Sequence, residues 1–523
     1  MESYDFLVIG SGIAGLSFAL KAAEGGRVAV LCKSEAAACN TNLAQGGLAA
    51  ALASSDSRQA HMADTLAAGS GLNNPEAVAL LATEAPGCIS ELLALGVPFD
   101  TLPGGKLSLG LEGGHSHHRI VHARDQTGKY IHQQLLQAVQ QHAHIRLLEH
   151  HLALDLMIDS RSGQKRCMGA RVLDVEHNLL CTFYARATVL ASGGAGQLYQ
   201  YSTNPAMATG DGVAMAYRAG AQLADMEFVQ FHPTTLYKPG QPVFLISEAV
   251  RGAGAELVLP TGEPFMHRYH PLGSLAPRDI VAQAMQQEMQ QSGADSLFLD
   301  MRRLSQEHFS QHFPAIYQTL LQQGIDPQEQ LVPVVPAAHY MCGGISTNAH
   351  GQTTLPGLYA CGECACTGLH GANRLASNSL PEGWIMGRRA AQHALAQPVP
   401  AAPLRPVESC FVPLAHESAL AGLLRQQLQE GMWQYAGIVR TRSGLLACQR
   451  LLEQLAHEVE EAQALGRLSP PWLELRNLVQ VAQLVTRAAL ARTESCGCHY
   501  LQPDGKPAAA AAEAGLALEL EIG

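Results

Sequence analysis

Positive charge is scarce in this chain: 34 Lys and Arg stand against 45 Asp and Glu, a formal net charge of -11. Such a balance argues against the phosphate backbone of nucleic acid or an anionic membrane as the main partner. No run of about 18 uncharged apolar residues is present, so no membrane span is expected. The strand pattern starts by Asp5, which leaves no room for a signal peptide ahead of it. The 13 cysteines are odd in number and scattered, unlike a disulfide framework. These absences point to a reducing cytoplasm. Internal repeats are missing too. What the chain does have is apolar mass, with 47% hydrophobic and 15% charged residues over 523 positions. That is too much for one core, and two to four domains are expected.

Residues 5–9 read as a short buried strand, 14–24 as a helix and 28–31 as a second strand. This is a βαβ unit, whose right-handed crossover implies a parallel sheet. Further strand-like runs lie at 145–149, 187–191 and 355–360. Between the last two groups, residues 226–340 are rich in Gly and Pro with one clear helix near 277–291, and read as an insertion. Gln397 to Val407 holds four prolines and reads as a linker. Residues 415–492 show apolar spacings of three and four and read as a helical bundle, and the last twenty residues are an alanine-rich tail.

Gly10-Ser11-Gly12-Ile13-Ala14-Gly15 lies between the first strand and its helix. Glycines there let the backbone turn tightly and approach a pyrophosphate, and the helix N-terminus adds free N–H groups. A dinucleotide site follows. The acidic residue often found after the second strand is missing, and Lys33 near that place hints by itself at a 2′-phosphate. Three later segments favour a flavin instead: Thr188–Gly194, a strand ending in the pair Gly193-Gly194; Thr209-Gly-Asp211-Gly212; and Leu355–Glu363, a strand that delivers Glu363 to a Gly-rich turn.

In these segments the chain resembles the flavoprotein family of succinate dehydrogenase, fumarate reductase and L-aspartate oxidase, from about residue 5 to residue 500. The resemblance implies an α/β fold. A Rossmann-like FAD-binding domain takes residues 1–225 and 341–400, an inserted α+β capping domain 226–340, a C-terminal helical bundle 408–500, and a tail 501–523. It also implies FAD contacts at Lys33, at Asn40, Thr41, Asn42, Leu43, Ala44, Gln45, Gly46 and Gly47, and at Asp211, Glu363, Ser379 and Leu380. In succinate dehydrogenases a histidine at the position of Asn40 carries the flavin covalently. Asn has no ring nitrogen to do so, and one noncovalent FAD per chain is expected.

Five segments resemble the family's dicarboxylate site: Gln230–Thr234 with His232, Ser247–Gly252, Ala276–Asp279, Ala338–Gly344 with His339, and Gly371–Ser379 with Arg374. A dicarboxylate presents two anionic forks. Arg374 suits one as a bidentate donor, and His232, Ser247 and His339 can donate to carboxylates. By resemblance Arg278 manages a proton, with Glu248 and Arg251 as its relay. Those two are three apart and share a face if the segment is helical. Pro277 places Arg278 in a first helical turn. The dipole there is worth about 1 kcal/mol or less. It cannot deprotonate a guanidinium, so a proton role requires direct contact with substrate.

Glu112, before Gly113-Gly114, separates the members. Succinate and fumarate enzymes typically place phenylalanine there and aspartate oxidases glutamate, the natural partner of an ammonium group. The segments 433–440 and 492–499 resemble aspartate oxidases too, with Cys496 in place of the usual arginine. The resemblance therefore implies oxidation of L-aspartate to iminoaspartate. Electrons pass to oxygen, giving hydrogen peroxide, or to fumarate, giving succinate, and iminoaspartate passes to quinolinate synthase in NAD biosynthesis. The rivals are a fumarate reductase or succinate dehydrogenase flavoprotein subunit and a catalytically dead flavoprotein used for binding. Whether hydride leaves Cα or oxidation runs across Cα–Cβ stays open. His115, His117 and His118, and Cys361-x-x-Cys364-x-Cys366, invite a metal reading, but no metal is expected.

Overall fold

The computed structural model describes residues 3–161, 163–398, 406–412, 419–467 and 469–504. The proline-rich stretch 399–405 and most of the alanine-rich tail lie outside the described residues.

Five short strands form a parallel sheet in the order Leu358–Ala360, Ala187–Leu190, Phe6–Ile9, Val28–Leu31, Ile145–Leu148. Phe6–Ile9 is buried along its whole length, as a strand covered on both faces must be. It runs into Gly10, whose φ of 115° is open to glycine at little cost, and a Cβ there would strike the Ala191 carbonyl. The helix Ile13–Ala22 then packs against Ser379–Ala396.

A second sheet does not show in the apolar pattern. Residues 151–159, 166–174, 179–184 and 408–411 form an antiparallel four-stranded sheet beside the parallel one. Its strands mix buried, half-buried and exposed positions without regular alternation, so neither alternation nor an apolar run marks them clearly.

The inserted region holds an antiparallel sheet in the order 244–245, 229–236, 332–341, 297–300, 256–258. Its main helix is Arg278–Ser292, and shorter helices occur at 248–252, 306–312 and 314–322. Pro277 takes the N-cap rather than the first helical position, so Arg278 opens the helix. The strand Val332–Met341 runs past residue 340, so the polypeptide re-enters the nucleotide-binding region without a break in the strand.

Three helices, Ala419–Ala436, Arg442–Ala464 and Pro470–Ala491, form the C-terminal bundle. Their apolar faces share one core with Tyr199, Val213 and Phe231. Among the described residues one helix, Pro75–Ala94, is long and apolar enough to cross a membrane by length and composition, with a mean hydropathy of 1.4. Here Val78, Leu81, Ala85, Ile89 and Leu92 pack inside the protein. Its Glu84 and Glu91 pair with Arg389 and Arg388 of the neighbouring helix.

Candidate active site

A single cleft is lined by Gly10–Ala14, Lys33, Asn40, Thr41, Leu43–Gly47, Gly193, Asp211, Glu363, Ser379 and Leu380 at one end. At the other it is lined by Glu112, His232, Ser247, Glu248, Arg278, His339 and Arg374. Residues expected from opposite ends of the chain therefore share one space.

At the nucleotide end the helix 13–22 opens onto the cleft, and its N-cap Gly12 supplies no side-chain hydrogen bond. The Ile13 N–H donates to Thr41 Oγ1 at 3.0 Å, which ties the helix start to the 40–47 segment. Lys33 Nζ donates to Thr209 Oγ1 at 2.6 Å, Asp211 Oδ2 at 2.8 Å and Glu474 Oε1 at 2.6 Å. Burial opposes its charge, but the two carboxylates more than compensate and raise its pKa. Its three donors are spent, so Lys33 itself is not free for a 2′-phosphate. Asn40 Nδ2 donates to Glu363 Oε2 at 2.9 Å, and the Met341 N–H donates to Glu363 Oε1 at 3.1 Å. The glycine turn, the helix start that opens onto the cleft and the residues lining that end fit a flavin dinucleotide.

At the other end, Glu248 opens the short helix 248–252, and the expected pairing across three residues is present. Arg251 Nη2 donates to Glu248 Oε1 at 3.0 Å, and Arg278 Nε donates to Glu248 Oε2 at 2.6 Å. Burial alone would raise the Glu248 pKa, yet Arg278 and Arg251 hold it below the usual carboxylate value. Ser247 caps this helix by accepting from the Ala249 N–H at 3.3 Å, so its own proton stays free to donate. Burial and the nearby arginines hold the imidazoles of His232 and His339 well below their usual pKa, so both are neutral. His232 Nδ1 accepts from the Thr234 N–H at 3.2 Å, which leaves Nε2 as the N–H donor. His339 Nδ1 pairs with Thr203 Oγ1 at 2.7 Å.

Glu112 is 4% exposed and accepts from Ser377 Oγ at 2.6 Å. Burial, and then the neighbouring Glu248, raise its pKa. Its loop is tied down behind. Arg119 is fully buried and forks onto Asp56 with two bonds of 2.9 Å, reaching Asp64 at 2.6 Å. A Cβ at Gly113 would collide with Glu248 Oε1, so the pair Gly113-Gly114 lets the Glu112 loop lie against the relay.

Four expected residues do not line the cleft. Arg251 sits behind Glu248, Gly15 packs on the Gly10 carbonyl, Gly194 presses on the Glu363 side chain, and Asn42 turns aside on its short helix. Three of the histidines and cysteines that invited a metal reading have other partners. His115 Nε2 lies 3.0 Å from the Ala376 carbonyl, Cys364 Sγ donates to the Leu190 carbonyl at 3.2 Å, and Cys366 Sγ donates to Asp225 Oδ2 at 3.5 Å. Sequence reading missed Ser377, Thr203, Glu474 and the bridging amide Gln230. Gln230 Oε1 accepts from Arg278 Nη1 at 3.0 Å and Arg374 Nε at 3.3 Å, which joins the two arginines. Gln230 stood inside a quoted motif, and its place beside His232 was the available signal. Glu474 gave none.

A family model described as FAD binding domain matches residues 5–380, and one described as fumarate reductase flavoprotein C-term matches residues 425–503. The chain is 46% identical to L-aspartate oxidase 1 of Ralstonia nicotianae over 505 residues, covering 95% of each. It is 46% identical to L-aspartate oxidase of Pseudomonas aeruginosa over 510 residues, again covering 95% of each. Among solved structures, E. coli quinol fumarate reductase superposes with a TM-score of 0.86 at 31% identity, covering 96% of this chain and 92% of that one. For Mycobacterium smegmatis Sdh1 the TM-score is 0.78 at 33% identity, covering 96% and 89%.

Proposed function

The chain belongs to the succinate dehydrogenase and fumarate reductase flavoprotein family, and on that premise we propose that it oxidises L-aspartate to iminoaspartate with FAD as cofactor. Bound FAD supplies the acceptor for two electrons. Oxygen, giving hydrogen peroxide, or fumarate, giving succinate, returns the enzyme to its oxidised form. Iminoaspartate goes to quinolinate synthase in NAD biosynthesis. Asn40 leaves the flavin without a covalent link to that position.

The observation that carries this reading is the charge of the substrate end. Arg251, Arg278 and Arg374 face Glu112 and Glu248 there, all buried, with both histidines neutral. These three cations outnumber the two carboxylates by one, with Glu363 adding its field at Arg374 from the nucleotide end. L-Aspartate carries one net negative charge and cancels that excess, with its ammonium facing a carboxylate. Succinate or fumarate, with two negative charges, leaves one uncompensated in a medium where that is costly.

In this reading Arg374 clamps one carboxylate, while His232 Nε2, His339 and the Ser247 hydroxyl hold the other. Glu112, oriented by Ser377, takes the ammonium. Arg278 stands where it can touch substrate and passes a proton towards Glu248, to which it is already hydrogen-bonded, with Arg251 bonded to the other oxygen of that carboxylate.

The variant Glu112→Gln keeps the shape and removes one negative charge. Aspartate oxidation is expected to fall by about one to three powers of ten. Fumarate reduction by chemically reduced enzyme is expected to hold or improve, because the altered site matches a dianion. Both are measured on one FAD-loaded preparation. An equal fall in both makes Glu112 a structural residue and removes the reading's basis for aspartate.

A further inference from the structure

A guanidinium clamp works only if its plane is set before the carboxylate arrives. Arg374 is buried, and burial and the like charge of Arg278 both oppose its charge. Its hydrogen bonds go to neutral acceptors, Ser379 Oγ at 2.7 Å and Gln230 Oε1 at 3.3 Å. Among the described residues no carboxylate makes an ion pair with it. Apart from the field of the Glu363 carboxylate, its support is an aromatic face, with the guanidinium carbon 4.1 Å from the centre of the Tyr340 ring.

That ring is itself fixed from behind. Tyr340 Oη donates to Glu382 Oε2 at 3.3 Å and lies 3.1 Å from His370 Nε2. His370 Nε2 is 2.8 Å from Glu382 Oε2, and Thr367 Oγ1 donates to Glu382 Oε1 at 2.6 Å. Tyr340, His370 and Glu382 are 7%, 3% and 2% exposed, so solvent does little to weaken these contacts. The Tyr340 and His370 rings meet edge to face, 5.1 Å apart at 86°, which blocks rotation of the phenol. Glu382 stays ionised: burial opposes its charge, but His370 and the two hydroxyls hold its pKa down. An anion accepting the phenol hydrogen bond pushes electron density into the ring, and a cation on the ring face is attracted by that density. The mechanism proposed above uses none of these three residues.

We propose that Tyr340, locked by the His370–Glu382 pair, is a positioning residue for dicarboxylate binding, its ring being the platform that sets the plane and charge environment of Arg374. The inference rests on the reading of Arg374 as the carboxylate clamp. It assigns Tyr340 an effect on substrate affinity and little effect on the chemical step.

The test uses full-length, FAD-loaded protein. Fumarate is titrated into the oxidised enzyme and followed by the flavin absorption spectrum. Flavin reduction by saturating L-aspartate is timed without oxygen. Tyr340→Leu is expected to raise the fumarate Kd and the aspartate KM about tenfold, with the saturated reduction rate changed less than about threefold and FAD retention and Tm close to wild type. Tyr340→Phe keeps the platform and loses only the hydroxyl, so its Kd is expected to lie between the two. Glu382→Gln weakens the same hydrogen bond and is expected to resemble Tyr340→Phe. A Tyr340→Leu protein that binds fumarate like wild type overturns the proposal. So does one in which rate, FAD retention and Tm fall together, and so does a Tyr340→Phe protein as impaired as Tyr340→Leu. Loss of fumarate binding in Tyr340→Leu that Tyr340→Phe restores supports it even if the leucine protein is less stable. A wild-type enzyme whose flavin spectrum and fumarate reduction both ignore fumarate overturns the clamp reading itself, and the platform with it.

Discussion

Two buried arginines share Gln230 as a neighbour and carry different burdens. Arg374 points a guanidinium at the cleft with neutral acceptors around it, so it is the one free to take a carboxylate. Arg374→Ala is expected to raise the aspartate KM roughly tenfold to a hundredfold, the cost of a lost charge-assisted pair, with FAD binding intact. An unchanged KM removes the clamp. Arg278 is already engaged with Glu248, and Arg278→Leu is expected to keep both FAD and dicarboxylate binding. Its turnover should drop by about two to four powers of ten, and near-normal kcat for aspartate oxidation and fumarate reduction would remove its proton role. Glu112 adds a pH signature. Burial raises its pKa, and only the ionised form pairs with an ammonium. In wild type, aspartate kcat/KM should therefore fall as pH drops through that raised value, a limb absent from fumarate reduction and from Glu112→Gln. These three residues were legible because each sits in a motif of fixed spacing. Ser377 was not. It lies inside the Gly371–Ser379 segment but reads there as one more small polar residue, and its role depends on Glu112, 265 positions away.

At the level of elements, the Gly10–Gly15 turn and the parallel strands were readable because full burial gives continuous apolar runs between glycine signals. The sheet at 151–184 was not, since its strands face partly outward. The helix Pro470–Ala491 was readable as a bundle member by its spacing, but its contribution to the nucleotide end was hidden. Glu474 leaves that helix to reach Lys33, and Asn477 Nδ2 donates to Asp211 Oδ1 at 2.8 Å. The bundle thus holds two of the residues that line the nucleotide end of the cleft, Lys33 and Asp211. Glu474→Gln should raise the FAD dissociation constant about tenfold, the cost of weakening a hydrogen bond between charged groups. Aspartate KM at saturating FAD should stay within about twofold of wild type. A variant that holds FAD as tightly as wild type would show that the Lys33–Glu474 contact is incidental.

For the molecule as a whole, one apolar core joins the parallel sheet, the helix 211–219 and all three C-terminal helices. The bundle and the nucleotide-binding region share this core, and ion pairs such as Lys33–Glu474 cross between them, so the two are expected to unfold together. Calorimetry of the FAD-loaded protein should show one main transition that moves up with added FAD, as binding to the folded state alone requires. A separate transition that ignores FAD would mark the bundle as independent. The central claim is about what this assembly oxidises, and anaerobic bleaching of the bound flavin tests it most directly. Mixed without oxygen with L-aspartate, the yellow enzyme should lose its flavin absorbance, and fumarate or air should restore it. D-Aspartate and succinate at the same concentration should leave it largely oxidised. Bleaching by succinate in preference to L-aspartate would contradict the account, because a site with Glu112 ionised between three arginines should not favour the dianion.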